Sequence, residues 1–306
     1  MTKQTKQNDK KVGKRIDLVR EKGKIVVCDT ETVGKAQVRN SVLPFDIGIV
    51  VYNVLKGIME KCISFINKNL FRDKEERATI YYQNTLPKYD KELKNNKEEF
   101  FEMSAYHCLV EINKLWKAHK IKYWCAYNSD FDSNAIANLY KKFPRLTNPF
   151  SQDREIDILT CVLQAFIDFP GLLKQYRLFC HATNKYSDSL KNYSISAETI
   201  GQFFFSYLLK EDHMGLSDAK LECLILEYLI ELYRENKIPF VVELGKRWQS
   251  MRYDIYVRRQ MFKPYTTGEY LNEIIDFEPI NQRNKNYGGN MVELQNEKAK
   301  LLLGIY

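Results

Sequence analysis

The chain has 306 residues, with 47 Lys+Arg against 39 Asp+Glu for a formal net charge of +8. At 44% hydrophobic and 13% aromatic it can bury a sizeable core, which excludes a wholly disordered regulator. The length predicts one large domain with an appendage, or two small domains.

Residues 1–20 open with Lys3, Lys6, Lys10, Lys11, Lys14 and Arg15 against Asp9, and read as a basic tail without the apolar core of a signal peptide. The run at 24–30, KIVVCDT, is apolar and β-branched, as in a strand buried on both faces. Residues 46–53 and 58–66 repeat that composition, and the short link through Lys56 and Gly57 predicts a hairpin. Residues 67–98 are polar and partly helical in pattern. From 99 to 120 the positions Phe100, Met103, Leu109, Ile112, Leu115 and Trp116 follow helical spacing. A strand at 123–127, a helix at 133–142 and a fifth strand at 156–159 complete a β-β-β-α-β-α-β series, which implies a mixed α/β sheet.

Beyond Thr160 the pattern is helical. Ser217 is placed to cap a helix with the stripe Leu221, Leu224, Tyr228 and Leu232, ending near Asn236 ahead of Pro239. No stretch reaches the ~20 apolar residues of a membrane span, because Glu222, Glu227 and Glu231 interrupt the most apolar one. Seven cysteines, an odd number without a CxxC pair, fit a reduced compartment rather than a disulfide scaffold or zinc ribbon. These features give the expectation of a soluble, cytoplasmic protein with no membrane partner.

A domain boundary is expected near 240. After it Lys246, Arg247, Trp248, Arg252, Tyr253, Tyr256, Arg258, Arg259, Phe262 and Lys263 interleave cations with aromatics. That pattern suits either contact with phosphates or an amphipathic helix packed on the domain, and makes Arg247, Arg252, Arg258 and Arg259 candidate nucleic-acid contacts. The expected organisation is a tail at 1–20, a domain at 21–240 and an extension at 241–306.

Three stretches carry chemistry. In VVCDTETVG, Asp29 and Glu31 stand two apart at the end of the first strand, so both carboxylates face one side. Hard oxygen pairs of this kind suit Mg²⁺ or Mn²⁺. In CAYNSDFD, Phe131 is expected to anchor the turn in the core while Asp132 points outward, with Asp130 a competitor for the same role and helix capping the alternative for either. In DHMGLSDAKLE, a polar loop presents His213 beside Asp218 at a helix start, where an imidazole can act near neutral pH. His107, His119 and His181 fall in contexts that suit structural roles.

In order and in element type, DTETVG, YNSDFD and HMGLSD resemble the three signature motifs of the DEDDh 3′→5′ exonucleases, the DnaQ-like and RNase T-like group. The resemblance runs from Asp29 to Asp218. It implies an RNase H-like fold with a five-stranded mixed sheet flanked by helices, and a C-terminal helical or irregular extension. It implies two divalent metal ions held by Asp29, Glu31, Asp132 and Asp218, with His213 as general base. The family spacing Asn-x-x-Phe-Asp favours Asp132 over Asp130. Tyr127 stands where the family often has His, and Asp157, near a commonly acidic position, is read as structural. Thr30, Thr32, Val33 and Asn128 are expected beside the terminal nucleotide. The implied partner is a nucleic-acid 3′ end, single-stranded DNA in the first place. Rival readings are an exoribonuclease, or a catalytically silent nucleic-acid-binding subunit. A polymerase or another replication or repair protein is a further expected partner for the extension.

Overall fold

The computed structural model describes residues 14–34, 42–187, 192–206, 208–247, 261–266 and 269. Strand β1 (Arg15–Asp17) precedes β2 (Lys24–Val33), β3 (Leu43–Asn53) and β4 (Ile58–Asn67). Short helices α1 (Lys68–Phe71) and α2 (Lys74–Arg77), a 3-10 turn (Gln83–Thr85) and helix α3 (Leu86–Asn95) occupy the polar stretch. Then come β5 (Phe100–Met103), α4 (Ala105–His119), β6 (Tyr123–Ala126), α5 (Asp130–Lys141), β7 (Glu155–Asp157), α6 (Ile158–Asp168), α7 (Pro170–Ala182), α8 (Ala197–Phe204), α9 (Gly215–Glu235) and β8 (Val241–Glu243).

The main sheet runs β5-β4-β3-β2-β6-β7. β3 lies antiparallel to both β2 and β4, whereas β6 is parallel to β2 and β7 parallel to β6. This is the mixed α/β sheet that the RNase H-like reading implies, with six strands instead of five. The additional strand is Phe100–Met103, which pairs parallel with β4 from Ser64 to Asn67. Its apolar positions merge in the sequence with the helical periodicity that follows. The helix starts only at Ala105, where the Ser104 hydroxyl accepts the His107 amide at 3.4 Å.

Alternation along β2 sorts the core into two layers. Ile25 and Val27 face a cluster completed by α6, α7, α8 and α9, and Val26 and Cys28 face one built with α4 and α5. Helix α9 is buried around most of its circumference, including Leu221, Leu224, Ile225, Leu229 and Ile230. The expected single stripe is therefore too narrow: Tyr228 and Leu232 are only partly covered, while Cys223 and Leu226 are fully buried. The capping expectation also changes. The helix begins at Gly215 behind Met214, with no side-chain cap from its own loop, and Ser217 lies inside the first turn. The Gly215 amide is satisfied instead by Asp46 of β3, at 2.9 Å.

Residues 15–17, read from sequence as tail, pair antiparallel with residues 241–243, read as extension. Phe262 and Tyr265 are likewise buried, and Phe262 packs against Phe166 and Tyr176. Arg252, Arg258 and Arg259 lie outside the described residues, as do residues 1–13. Among the described residues no helix is long and apolar enough to cross a membrane.

Candidate active site

Asp29 and Glu31 have the same parity as Ile25 and Val27, so they project towards α9, which carries Asp218 in its first turn. His213 sits just ahead of that helix in a left-handed conformation, φ +52°. One ligand atom each from Glu31, His213 and Asp218 lies within 4.8 Å of the others. A register shift in the β2–β3 ladder falls between Glu31 and Thr32, so the strand pairing is interrupted immediately beyond the acidic pair.

Thr30, of opposite parity, faces α5. Its amide and its hydroxyl both donate to Asp132 Oδ1, at 2.9 and 2.7 Å. The strand thus orients the carboxylate of the neighbouring helix, and Thr30 is engaged inside the protein rather than presented to a ligand. Val33 belongs to the core, 1% exposed, while Thr32 and Asn128 are half-buried. Asn128 takes a left-handed turn, φ +58°, between β6 and α5.

In that turn the sequence expectation is inverted. Phe131 is 43% exposed and Asp132 is 3% exposed. Helix α5 starts at Asp130, three residues earlier than the pattern suggested, which turns Phe131 outward and Asp132 inward. Asp130 pairs with Arg247, and this separates the two candidate acids: Asp132 joins the cluster and Asp130 belongs to another network. In that network Arg247 also forks onto both oxygens of the fully buried Glu155 and donates to Ser133 Oγ at 2.9 Å. Its guanidinium faces inward and is committed to these partners, unlike the phosphate-facing cation expected.

The cluster is electrostatically crowded. Loss of hydration, then the charges of Asp132, Glu222, Asp218 and Glu31, push the Asp29 carboxyl well above the usual range. Burial and Asp46 raise Glu31 to about 8. Burial raises Asp132 to about 7 against the opposing Thr30 hydrogen bonds, and Asp218 rises through burial and Glu211. Half-burial lowers the His213 imidazole against the opposing charge of Glu198, with Lys88 adding to the lowering, which favours the neutral ring.

Sequence reading missed two carboxylates. Glu222 lies one turn beyond Asp218 on the same side of α9, is 3% exposed, and accepts the Tyr127 amide at 3.0 Å. The i, i+4 spacing is visible in the sequence, where Glu222 reads only as an interruption of an apolar run. Asp46, 0% exposed, accepts from Ser64 Oγ at 2.6 Å, Tyr89 OH at 2.6 Å and the Gly215 amide, and so fixes the start of α9. Asp157 caps α6 by accepting the Leu159 and Thr160 amides, in keeping with the structural reading.

The donor set is one of carboxylate oxygens with a single imidazole, chemistry that fits a hard divalent cation. Glu31 and Asp218 offer oxygens beside the His213 nitrogen, and Asp29 and Asp132 lie near enough for their charges to be felt in the same cluster, so a cation there would relieve repulsion.

No family model and no curated protein matches this sequence. Among solved structures, the chain is similar to the nuclease domain of 3′hExo, a DEDDh family member bound to rAMP. The identity there is 12% and the TM-score 0.46, over 74% of this chain and 98% of that one. It is also similar to E. coli Exonuclease I in complex with a dT13 oligonucleotide, at 13% identity and a TM-score of 0.46, over 70% of this chain and 42% of that one. For a 3′-exonuclease recognising the histone mRNA stem-loop the values are 11% and 0.37, over 68% and 64%.

Proposed function

We propose that this protein is a divalent-metal-dependent 3′→5′ exonuclease that releases nucleoside 5′-monophosphates from nucleic-acid 3′ ends. The observation that carries the reading is the meeting of Glu31, His213 and Asp218 within 4.8 Å, beside Asp29 and an Asp132 held by two bonds from Thr30. The polarity follows from the motif resemblance.

Asp29, Glu31, Asp132 and Asp218 would hold the cations, which when bound supply Lewis-acid charge to the phosphoryl group and acidify water. His213, neutral and half-buried, takes the proton of the attacking water. The water oxygen bonds to the terminal phosphorus, the P–O3′ bond breaks, and the 3′ oxygen leaves with the shortened strand. Thr30 and Glu222 act one step removed, the first by orienting Asp132 and the second by holding the Tyr127 amide at the entrance to α5.

Incubation of 5′-labelled single-stranded DNA, duplex DNA and RNA with Mg²⁺, Mn²⁺ or EDTA tests the reading. The expected result is a descending ladder from the 3′ end that EDTA abolishes, with the preferred strand identifying the sugar and the strandedness. Internal cleavage products, or activity in EDTA, would overturn it.

A further inference from the structure

Residues 68–95 contain none of the motif residues, yet they are fastened to the site at four points. Thr79 Oγ1 accepts the Gly34 amide at 2.7 Å, at the last residue of the first motif. Lys88 pairs with Asp212 at 2.7 Å, and Tyr89 OH donates to Asp46 at 2.6 Å where Asp46 takes the Gly215 amide. The fourth point is His213 itself: the Tyr82 ring lies face to face with the imidazole, centroids 3.6 Å apart and planes within 4°. The segment therefore holds the chain on both sides of His213 and the ring between them.

His213 needs such support. It is a non-glycine residue at φ +52°, a conformation that persists where the surroundings over-determine it. An imidazole on a loop ahead of a helix can rotate about two side-chain bonds, and proton transfer rewards only a narrow range of those rotations.

We propose that Tyr82 is a positioning residue of this site, its ring fixing the plane of the His213 imidazole so that the ring edge stays turned to Glu31 and Asp218. The proposal rests on the nuclease reading of His213. It assigns the work to the ring and not to the hydroxyl, because the stack is made by the ring face. The Tyr82 carbonyl holds the turn separately, accepting the Thr85 amide at 3.0 Å and the Thr85 hydroxyl at 2.7 Å. A different use of the same ring, as a platform for a nucleobase, would be felt in substrate binding instead of turnover.

Two measurements on full-length Tyr82→Phe and Tyr82→Leu variants test it, with Tyr82→Met as a second non-aromatic variant should Leu impair folding. In metal-free protein, the NMR signals of the His213 ring protons are expected upfield in the parent and in Tyr82→Phe. They should move to ordinary positions in Tyr82→Leu. In hydrolysis of single-stranded oligonucleotides, Tyr82→Leu is expected to lower kcat by about tenfold or more with KM little changed, and Tyr82→Phe to stay within about twofold of the parent. An unshifted His213 spectrum in Tyr82→Leu, or a rise in KM with kcat kept, overturns the proposal while leaving the nuclease reading intact. A parent protein that hydrolyses none of the substrates with either cation overturns the nuclease reading, and the proposal with it.

Discussion

Gly48 of β3 and Gly215 at the start of α9 meet backbone to backbone: a methyl group on Gly48 would lie 2.0 Å from the Gly215 carbonyl carbon. The helix that carries Asp218 therefore sits directly on the strand, with no side chain between them. Gly48→Ala must lift this end of α9, and with it His213 and Asp218. The expected cost is about 1–3 kcal/mol of stability, together with a larger loss of hydrolysis. Urea denaturation and activity assays on one preparation check both. Wild-type activity in Gly48→Ala would show that the close approach does not position the site.

Glu222 adds a carboxylate to an already crowded cluster, and burial followed by Asp132 pushes its carboxyl well above the usual range. Glu222→Gln keeps an acceptor for the Tyr127 amide and cannot ionise, so the metal-free protein should gain stability over the parent as pH rises, with a smaller increment on adding Mn²⁺. Glu222→Leu leaves a buried amide unpaired and is expected to cost about 1–3 kcal/mol. Melting temperatures with and without Mn²⁺ separate these effects. Equal destabilisation by the two variants would count against a repulsive role.

The pH dependence follows from groups raised in the folded state: Asp46 to about 6, Asp132 and Glu211 to about 7, Glu31 to about 8. A raised carboxyl is protonated more readily when folded, so its contribution is present below the unfolded value and lost as pH rises through the folded one. Metal-free protein should lose melting temperature between about pH 5 and pH 8. Mg²⁺ or Mn²⁺ should restore more at the upper end, where protons no longer compete. A cation effect that is equal across the range would contradict the cluster's role as a cation site.

Asp29→Ala and His213→Ala are both expected to abolish hydrolysis, for different reasons. Asp29 is surrounded by the other carboxylates, so its loss should weaken Mn²⁺ binding measured by calorimetry. Loss of His213 should leave most of that binding in place. A collapse of Mn²⁺ affinity in His213→Ala would recast the imidazole as a ligand, which its distance from Glu31 and Asp218 permits.

Arg247→Ala leaves Glu155, 0% exposed, without its cationic partner and removes the ion pair to Asp130. Breaking a buried pair on one side costs about 3 kcal/mol or more. Chemical denaturation should show it, whereas a phosphate-contacting role would appear as a flatter salt dependence of nucleic-acid binding at unchanged stability.

The early strands, the order of the elements and the three motifs were readable because each expresses a local period or a compact string. What stayed hidden depended on contacts between distant parts of the chain. Phe100–Met103 looks helical until β4 is present to pair with it. Ser217 looks like a cap until Asp46, 169 positions before Gly215, takes the Gly215 amide. The burial of Asp132 in place of Phe131 depends on where α5 begins, just after the left-handed Asn128, and no residue preference announces that start. Tyr82 is one of 20 tyrosines, and nothing in its neighbourhood of the sequence marks it as the one that meets His213.

The small ribbon of β1 and β8 also constrains assembly in time. Phe240 donates its amide to Asp17 across 223 positions of chain, and its carbonyl accepts from Leu18 at 2.9 Å. During synthesis the first strand must wait for almost the whole fold to emerge before it finds its mate. Closure of this ribbon is consequently a late step of assembly, a clasp added after the sheet and α9 have met.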